Sequence, residues 1–331
     1  MKIVADNAIP FLEGVLEPYA RMKYLPGKAI TAADVRDADA LIIRTRTRCD
    51  AALLEGSSVK LIATATIGFD HIDTEYCHRH GIEVATAAGC NARGVLQYIA
   101  AALVHLSRTQ GWNPAEKILG IVGVGHVGSL VEAYAQEWGF RVIACDPPRE
   151  AREHLGFLPL EEVARQADIL TFHTPLDDTT HHMASESLFR LMKPGSTLIN
   201  TSRGEVVDSK ALLNSRLQYI LDVWEHEPDL DPQLLRNALL ATPHIAGYSA
   251  QGKANATALS VRTIGRYFGL PFREWYPSCV VPSHPRQISW QELCSTINDR
   301  FDIAAESRRL KADVEGFETS RNEYSYREEY F

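Results

Sequence analysis

The run Ile118-Leu-Gly-Ile-Val122 leads straight into Gly123-Val-Gly-His-Val-Gly128, and a helix-like segment, Ser129–Trp138, follows without a break. Few patterns restrict a fold so strongly. The apolar run reads as a strand buried on both faces. Glycines at these spacings permit a tight turn, a close approach of backbone to a ligand, and close packing of helix on strand. Such a strand–turn–helix is the opening unit of a doubly wound parallel sheet. The free N–H groups at the helix start, including those of His126 and Val127, suit a phosphate. For His126 the backbone carries that role, not the ring.

The same rhythm extends along the chain. Lys2–Ala5, Ala40–Arg44, Leu61–Thr64, Arg141–Cys145, Ile169–Phe172, Thr197–Asn200 and Tyr219–Leu221 are further short apolar runs, with helix-like segments between them. Two α/β units are expected, one over residues 1–90 and one from Ile118 to about Pro243. Ala92–Arg108 and Ser249–Phe268 read as long helices that carry the chain between them. After Gly269 the prolines at 271, 277, 282 and 285 interrupt the pattern. Trp290–Lys311 then reads as one helical stretch, and Asn322–Phe331 is dense in Tyr and Glu.

A length of 331 residues exceeds one comfortable core and fits this division. The net charge of −8 argues against a protein that tracks nucleic-acid phosphates. Six cysteines stand far apart with no CxxC pair, which favours reduced thiols in a cytoplasm. The N-terminus has no signal-peptide pattern, and no apolar stretch approaches a membrane span. His78, His80, His181 and His182 lack the company of metal ligands, so no metal is expected.

Two sites emerge. The strand Arg141–Cys145 ends in Asp146, where an acidic residue can bind both ribose hydroxyls of a dinucleotide and so favours NAD over NADP. Arg149, three residues on, pulls the other way. Gly123, Gly125 and Gly128 would receive the pyrophosphate. The second site is assembled from three loops. Arg203 follows a strand end in Asn200-Thr-Ser-Arg203, Glu227 lies in Leu221-Asp-Val-Trp-Glu-His-Glu227, and His244 lies in Thr242-Pro-His244. Histidine titrates nearest neutral pH and suits a general base. A carboxylate beside it orients the ring. A guanidinium grips a carboxylate with two bonds. Together they suit oxidation of a small 2-hydroxy acid, with Asp222 facing the nicotinamide amide. Arg44-Thr-Arg-Thr-Arg48, past a strand end of the first unit, is a candidate trap for a substrate phosphate; alternation keeps its arginines from all pointing one way, so the choice among Arg44, Arg46 and Arg48 stays open.

These motifs resemble the D-isomer-specific 2-hydroxyacid dehydrogenases over about residues 1–270. The carriers are Gly123-Val-Gly-His-Val-Gly128, Thr201-Ser-Arg-Gly204, Leu221-Asp-Val-Trp224 and Thr242-Pro-His244. A narrower likeness within the family runs through Ala63-Thr-Ala-Thr66, Gly89-Cys-Asn-Ala92, Cys145-Asp-Pro-Pro-Arg149, Phe172-His-Thr-Pro175 and His244-Ile-Ala-Gly-Tyr248. The resemblance implies an α/β fold of two doubly wound parallel-sheet domains. Residues 1–94 and 249–270 would form a flavodoxin-like substrate domain, 95–248 a Rossmann-type NAD domain, and 271–331 a small C-terminal dimerisation region. It implies catalytic roles for Arg203, Glu227 and His244. It adds Asp146, Thr174, Thr201 with Ser202, Asp222 and Gly247 as cofactor contacts, and Thr45, Thr66 and Tyr248 as substrate contacts. It also implies a homodimer; the tail after Leu270 departs from the narrower group in being shorter, which bears on the dimer contacts more than on the chemistry. Two other readings share these residues: a sister dehydrogenase of the phosphoglycerate or glyoxylate type, and an NAD-sensing regulatory protein on the same fold.

Overall fold

Eleven strands form, and every pairing among them is parallel. They are β1 (Lys2–Asp6), β2 (Arg21–Leu25), β3 (Ala40–Ile43), β4 (Leu61–Thr64), β5 (Glu83–Thr86), β6 (Ile118–Val122), β7 (Arg141–Cys145), β8 (Ile169–Phe172), β9 (Thr197–Asn200), β10 (Gln218–Leu221) and β11 (Leu240–Ala241). The computed structural model describes residues 1–331. Its two units are Met1–Asn91 with Ala250–Pro282, and Ala92–Ser249 with Ser283–Phe331.

In the first unit the strand order is β2-β1-β3-β4-β5. Alternate residues of the central strands feed different cores. Val4, Leu41, Ile43 and Ile62 pack on one face, and Ile3, Ala5, Ala40, Ile42 and Leu61 on the other. That is why these strands are continuously apolar: neither face meets water. The helix Ala250–Phe268 returns to this unit and presses Val261 and Ile264 onto the second face.

The second unit has the order β11-β10-β9-β8-β6-β7. Leu119, Ile121, Ile169, Ile199 and Ile220 face one core, and Val122, Leu170, Phe172, Leu198 and Leu221 the other. The order reverses between β6 and β8, and a doubly wound sheet binds its ligands beyond the strand ends at such a point. β7 is the edge strand, and after the helix Pro147–Glu153 the chain returns to it only at Leu158, whose amide donates to the Ala144 carbonyl at 2.9 Å.

Two differences from the sequence reading stand out. Strands β2, β5 and β11 were not anticipated. The stretch expected as one helix over Trp290–Lys311 is two, Trp290–Arg300 and Ile303–Ala312. Asp302 breaks it by capping the second helix through the Ala305 amide at 2.9 Å. Residues 271–282 group with the first unit and 283–331 with the second, and the C-terminal stretch is helical over Trp290–Arg300, Ile303–Ala312 and Phe317–Asn322.

Gly120 tests the packing of β6. A Cβ added there would lie 2.8 Å from Leu170 Cδ1, 2.8 Å from Val163 Cγ1 and 2.9 Å from Ala167 Cβ. Overpacking of this kind costs about 1–3 kcal/mol. Gly120→Ala should lower the urea midpoint accordingly, with an unchanged slope.

Candidate active site

The glycine loop follows β6 and meets the loop after β8 at the reversal point. Gly123 has φ +85°, and a Cβ on it would stand 2.8 Å from the His173 carbonyl oxygen. Only glycine tolerates both. On Gly128 a Cβ would lie 2.0 Å from the Gly123 oxygen, so the helix His126–Glu137 packs directly on the turn. Around Gly125 a Cβ would meet nothing within 4 Å, which leaves room for a ligand to approach the backbone. No side chain caps the start of that helix, so its first amides remain available to an anion. The Thr174 hydroxyl is buried and has no protein partner. An open cradle beside an orphaned hydroxyl fits a dinucleotide.

The acidic residue expected at the ribose is also a structural cap. Asp146 accepts the Val124 amide at 2.8 Å and the Arg149 amide at 2.9 Å. A carboxylate has about four acceptor sites, so two hydroxyls can still be added. Arg149 binds Glu153 through Nε and Nη2, the shortest contact being 2.6 Å, and the Val124 carbonyl at 2.7 Å. A guanidinium compensated in this way is poorly placed to demand a further phosphate, which weakens its pull toward NADP.

His244 and Glu227 meet. His244 Nδ1 lies 2.8 Å from Glu227 Oε2, while Oε1 accepts the Trp224 amide at 3.0 Å. Burial pushes the Glu227 carboxyl up, but the His244 ring, Arg321 and the Trp224 amide outweigh it and hold its pKa below the usual range. An ionised carboxylate can only accept, so Nδ1 carries the proton and Nε2 is left with its lone pair. His244 has φ +58°, a left-handed conformation costly for a β-carbon and common at functional positions.

Asp222, below this loop, is 1% exposed. Its Oδ1 accepts the Thr242 hydroxyl at 2.6 Å and the Ile245 amide at 2.8 Å, and Oδ2 accepts the Ala246 amide at 2.8 Å. Its main occupation here is to hold the loop that runs through Gly247 to Tyr248.

Arg203 stands at the turn after β9. Asn200 shapes that turn by donating to the Arg203 carbonyl at 2.8 Å and accepting the Ser202 amide and hydroxyl at 3.0 and 2.7 Å. A Cβ on Gly204 would fall 2.0 Å from the Trp224 carbonyl carbon. Backbone contact therefore ties the Arg203 loop to the loop that carries Glu227. Thr201 lies 3.4 Å from His173 Nδ1, whose other nitrogen is 3.1 Å from the Thr171 hydroxyl.

In the first unit, β3 stops at Ile43, and residues 44–48 form a turn rather than the end of a strand. There Arg44 donates to the Ala8 carbonyl at 2.9 Å, and Arg48 pairs with Asp50 at 2.7 Å. Thr45 and Arg46 occupy the turn between them. In the loop after the neighbouring β4, the Thr66 hydroxyl meets that of Thr64 at 2.6 Å and donates to the Gly68 carbonyl at 3.1 Å. Both loops leave the carboxyl ends of adjacent strands.

Sequence reasoning missed two arginines in the tail. Arg321 Nη1 lies 3.7 Å from Glu227 Oε2, and its Nε donates to the Tyr248 hydroxyl at 3.2 Å. Arg327 is 7% exposed and donates to the carbonyls of Ile245, Ala246, Tyr248 and Gly94. The sign available in the sequence was a pair of cations within an otherwise acidic, tyrosine-rich stretch.

The neutral state of His173 gives a pH test. Burial lowers its pKa from 6.5 to about 3. Between those values the unfolded chain binds a proton that the folded one does not, so stability is lost as pH falls through that window. His173→Asn should lose less stability between about pH 7 and pH 5 than wild type in urea titrations. Equal losses would remove His173 as a source of the acid sensitivity.

Comparison with known proteins adds to this geometry. Residues 95–246 match the family model described as "D-isomer specific 2-hydroxyacid dehydrogenase, NAD binding domain". A relative from Bacteroides thetaiotaomicron named erythronate-4-phosphate dehydrogenase is 46% identical, over 99% of this chain and 97% of its own length. Another of that name, from Porphyromonas gingivalis, is 40% identical over 98% and 93%. Among solved structures, the D-lactate dehydrogenase of Aquifex aeolicus, complexed with NAD and lactic acid, has a TM-score of 0.70 at 25% identity, covering 81% of this chain and 96% of that one.

Proposed function

We propose that this chain, which belongs to the D-isomer-specific 2-hydroxyacid dehydrogenase family and within it to the erythronate-4-phosphate dehydrogenases, oxidises 4-phospho-D-erythronate with NAD. The product is (R)-3-hydroxy-2-oxo-4-phosphooxybutanoate, on the route to pyridoxal phosphate. The observation that carries the chemistry is the 2.8 Å contact between His244 Nδ1 and Glu227.

Glu227 fixes the tautomer of His244, and Nε2 takes the proton of the substrate's 2-hydroxyl. As that proton leaves, the C2–O bond becomes a carbonyl and the C2 hydrogen departs with its electron pair. The nicotinamide of bound NAD supplies the acceptor for that hydride. Glu227 then faces an imidazolium and stabilises it. Arg203 grips the substrate carboxylate and polarises the forming carbonyl. The Gly123–Gly128 turn, Asp146, Thr174, Thr201, Ser202, Asp222 and Gly247 hold the cofactor in this reading. Thr45, Thr66 and Tyr248 hold the substrate, with Arg44 and Arg46 at its phosphate.

Two measurements test the reading. In a panel of 2-hydroxy acids, 4-phospho-D-erythronate should give the highest kcat/KM; faster turnover of 3-phosphoglycerate would sink the substrate assignment. His244→Ala should reduce turnover by about 10²-fold or more while NAD binding persists, and unchanged turnover would remove His244 from the mechanism. Loss of all activity across the panel with NAD still bound would favour a regulatory protein.

No helix of the chain is long and apolar enough to cross a membrane. The reading places the enzyme in the cytoplasm as a homodimer. Light scattering should then give about twice the chain mass of 36.8 kDa, and a mass that stays at one chain at micromolar concentration would exclude the dimer.

A further inference from the structure

The tail of the second unit reaches the catalytic loop, and it does so with charge. Arg321 lies in the helix Phe317–Asn322 with its side chain 21% exposed. Its Nη1 is 3.7 Å from Glu227 Oε2, the same oxygen that meets His244 Nδ1 at 2.8 Å. Its Nε donates to the Tyr248 hydroxyl. The segment is anchored beyond Arg321 as well. Arg327 donates to the carbonyls of the His244 loop, and the Ser249 hydroxyl donates to Glu329 at 2.6 Å. Phe331 is buried with Tyr134 and Trp138. An arginine on a segment held at several points presents its guanidinium in a fixed place.

We propose that Arg321 is a positioning residue for the His244–Glu227 pair: it holds the Glu227 carboxylate against the imidazole and, as a fixed cation, favours the neutral, proton-accepting ring. The proposal rests on the reading of His244 as the base.

The charged and titratable groups around the pair come from four places. Asp222 faces it from beneath the loop and favours the protonated ring. The Tyr248 hydroxyl sits on the loop itself. Arg203 stands in the adjacent loop, which Gly204 packs against Trp224. Arg321, with Arg327 and Tyr324 behind it, comes from the tail. Arg321 therefore opposes Asp222. Burial works against its own charge, but Tyr248 and Glu227 more than offset that and keep it a cation. Without it, Glu227 would keep the Trp224 amide and the His244 ring as partners but lose the cation that balances Asp222 across the pair.

The test uses the full chain, with the hydroxy acid that wild type turns over fastest. Arg321→Gln should lower kcat about tenfold and leave NAD affinity within about twofold. The acidic limb of its kcat/KM profile should move to higher pH by about half a unit or more, because oxidation needs the unprotonated ring. Arg321→Lys should keep that limb at its wild-type position, since the charge is retained. Arg321→Met, which keeps the stem and loses the charge, replaces the Gln variant if that one does not fold. An unmoved limb in the neutral variants would overturn the proposal even if kcat fell, because that outcome describes packing alone. A limb shifted in Arg321→Lys as far as in Arg321→Gln would also overturn it. His244→Ala, measured alongside, separates the two claims: an active His244→Ala enzyme refutes the base, whereas an inactive one beside a wild-type-like Arg321→Gln refutes only the role of Arg321.

Discussion

Asp222 directly follows β10, almost entirely out of water, and three donors from the segment 242–246 converge on its carboxylate. Burial pushes its pKa up, while the His244 ring, the Thr242 hydroxyl and the two amides pull it part of the way back. A buried carboxylate is costly unless it is well bonded, so the segment it binds has little freedom to move. Thr242 passes the constraint on, because its hydroxyl also meets the Tyr98 hydroxyl at 2.8 Å, within the helix Ala92–Gln110. The position of His244, with its left-handed backbone, follows from this arrangement.

The opposite charge completes the loop from the other side. The amides of Ile245 and Ala246 go to an anion, Asp222, and the carbonyls of Ile245, Ala246 and Tyr248 go to a cation, Arg327. An irregular segment buried in a protein needs partners for both kinds of backbone group. Here two ionised side chains supply them where a sheet or helix would have used its own ladder. Arg327 is also 4.3 Å from the Phe301 ring centroid, so its charge has an aromatic face as well as carbonyls.

Much of the fold was legible because parallel strands covered on both faces are apolar without interruption. That property exposed β1, β3, β4, β6, β7, β8, β9 and β10. The strands that escaped notice lie at sheet edges. Arg21-Met-Lys-Tyr-Leu25 and Glu83-Val-Ala-Thr86 are partly exposed, and Leu240-Ala241 is too short to show a pattern. In the candidate site, the expected neighbourhood of His244 and Glu227 and the glycine turn are the parts that the structure shows as geometry, because each demands one residue type at one place; the roles of Asp146 and Arg203 belong to the proposed function. What escaped notice were contacts distant in sequence. Nothing local in Tyr-Ser-Tyr-Arg327 reveals that its guanidinium seeks carbonyls some 80 positions earlier.

The contact between Gly204 and Trp224 has a consequence for how substrates can diversify on this frame. With no room even for a methyl group between them, the Arg203 and Glu227 loops form one rigid ruler. Its two marks are a guanidinium and an imidazole–carboxylate pair. Under the proposed function, a ruler of fixed length would measure the one part common to every 2-hydroxy acid, the carboxylate and its neighbouring hydroxyl. It is blind to whatever lies beyond C2. New preferences would then arise from residues off the ruler, and the shared head group could stay constant while the far end of the substrate changed.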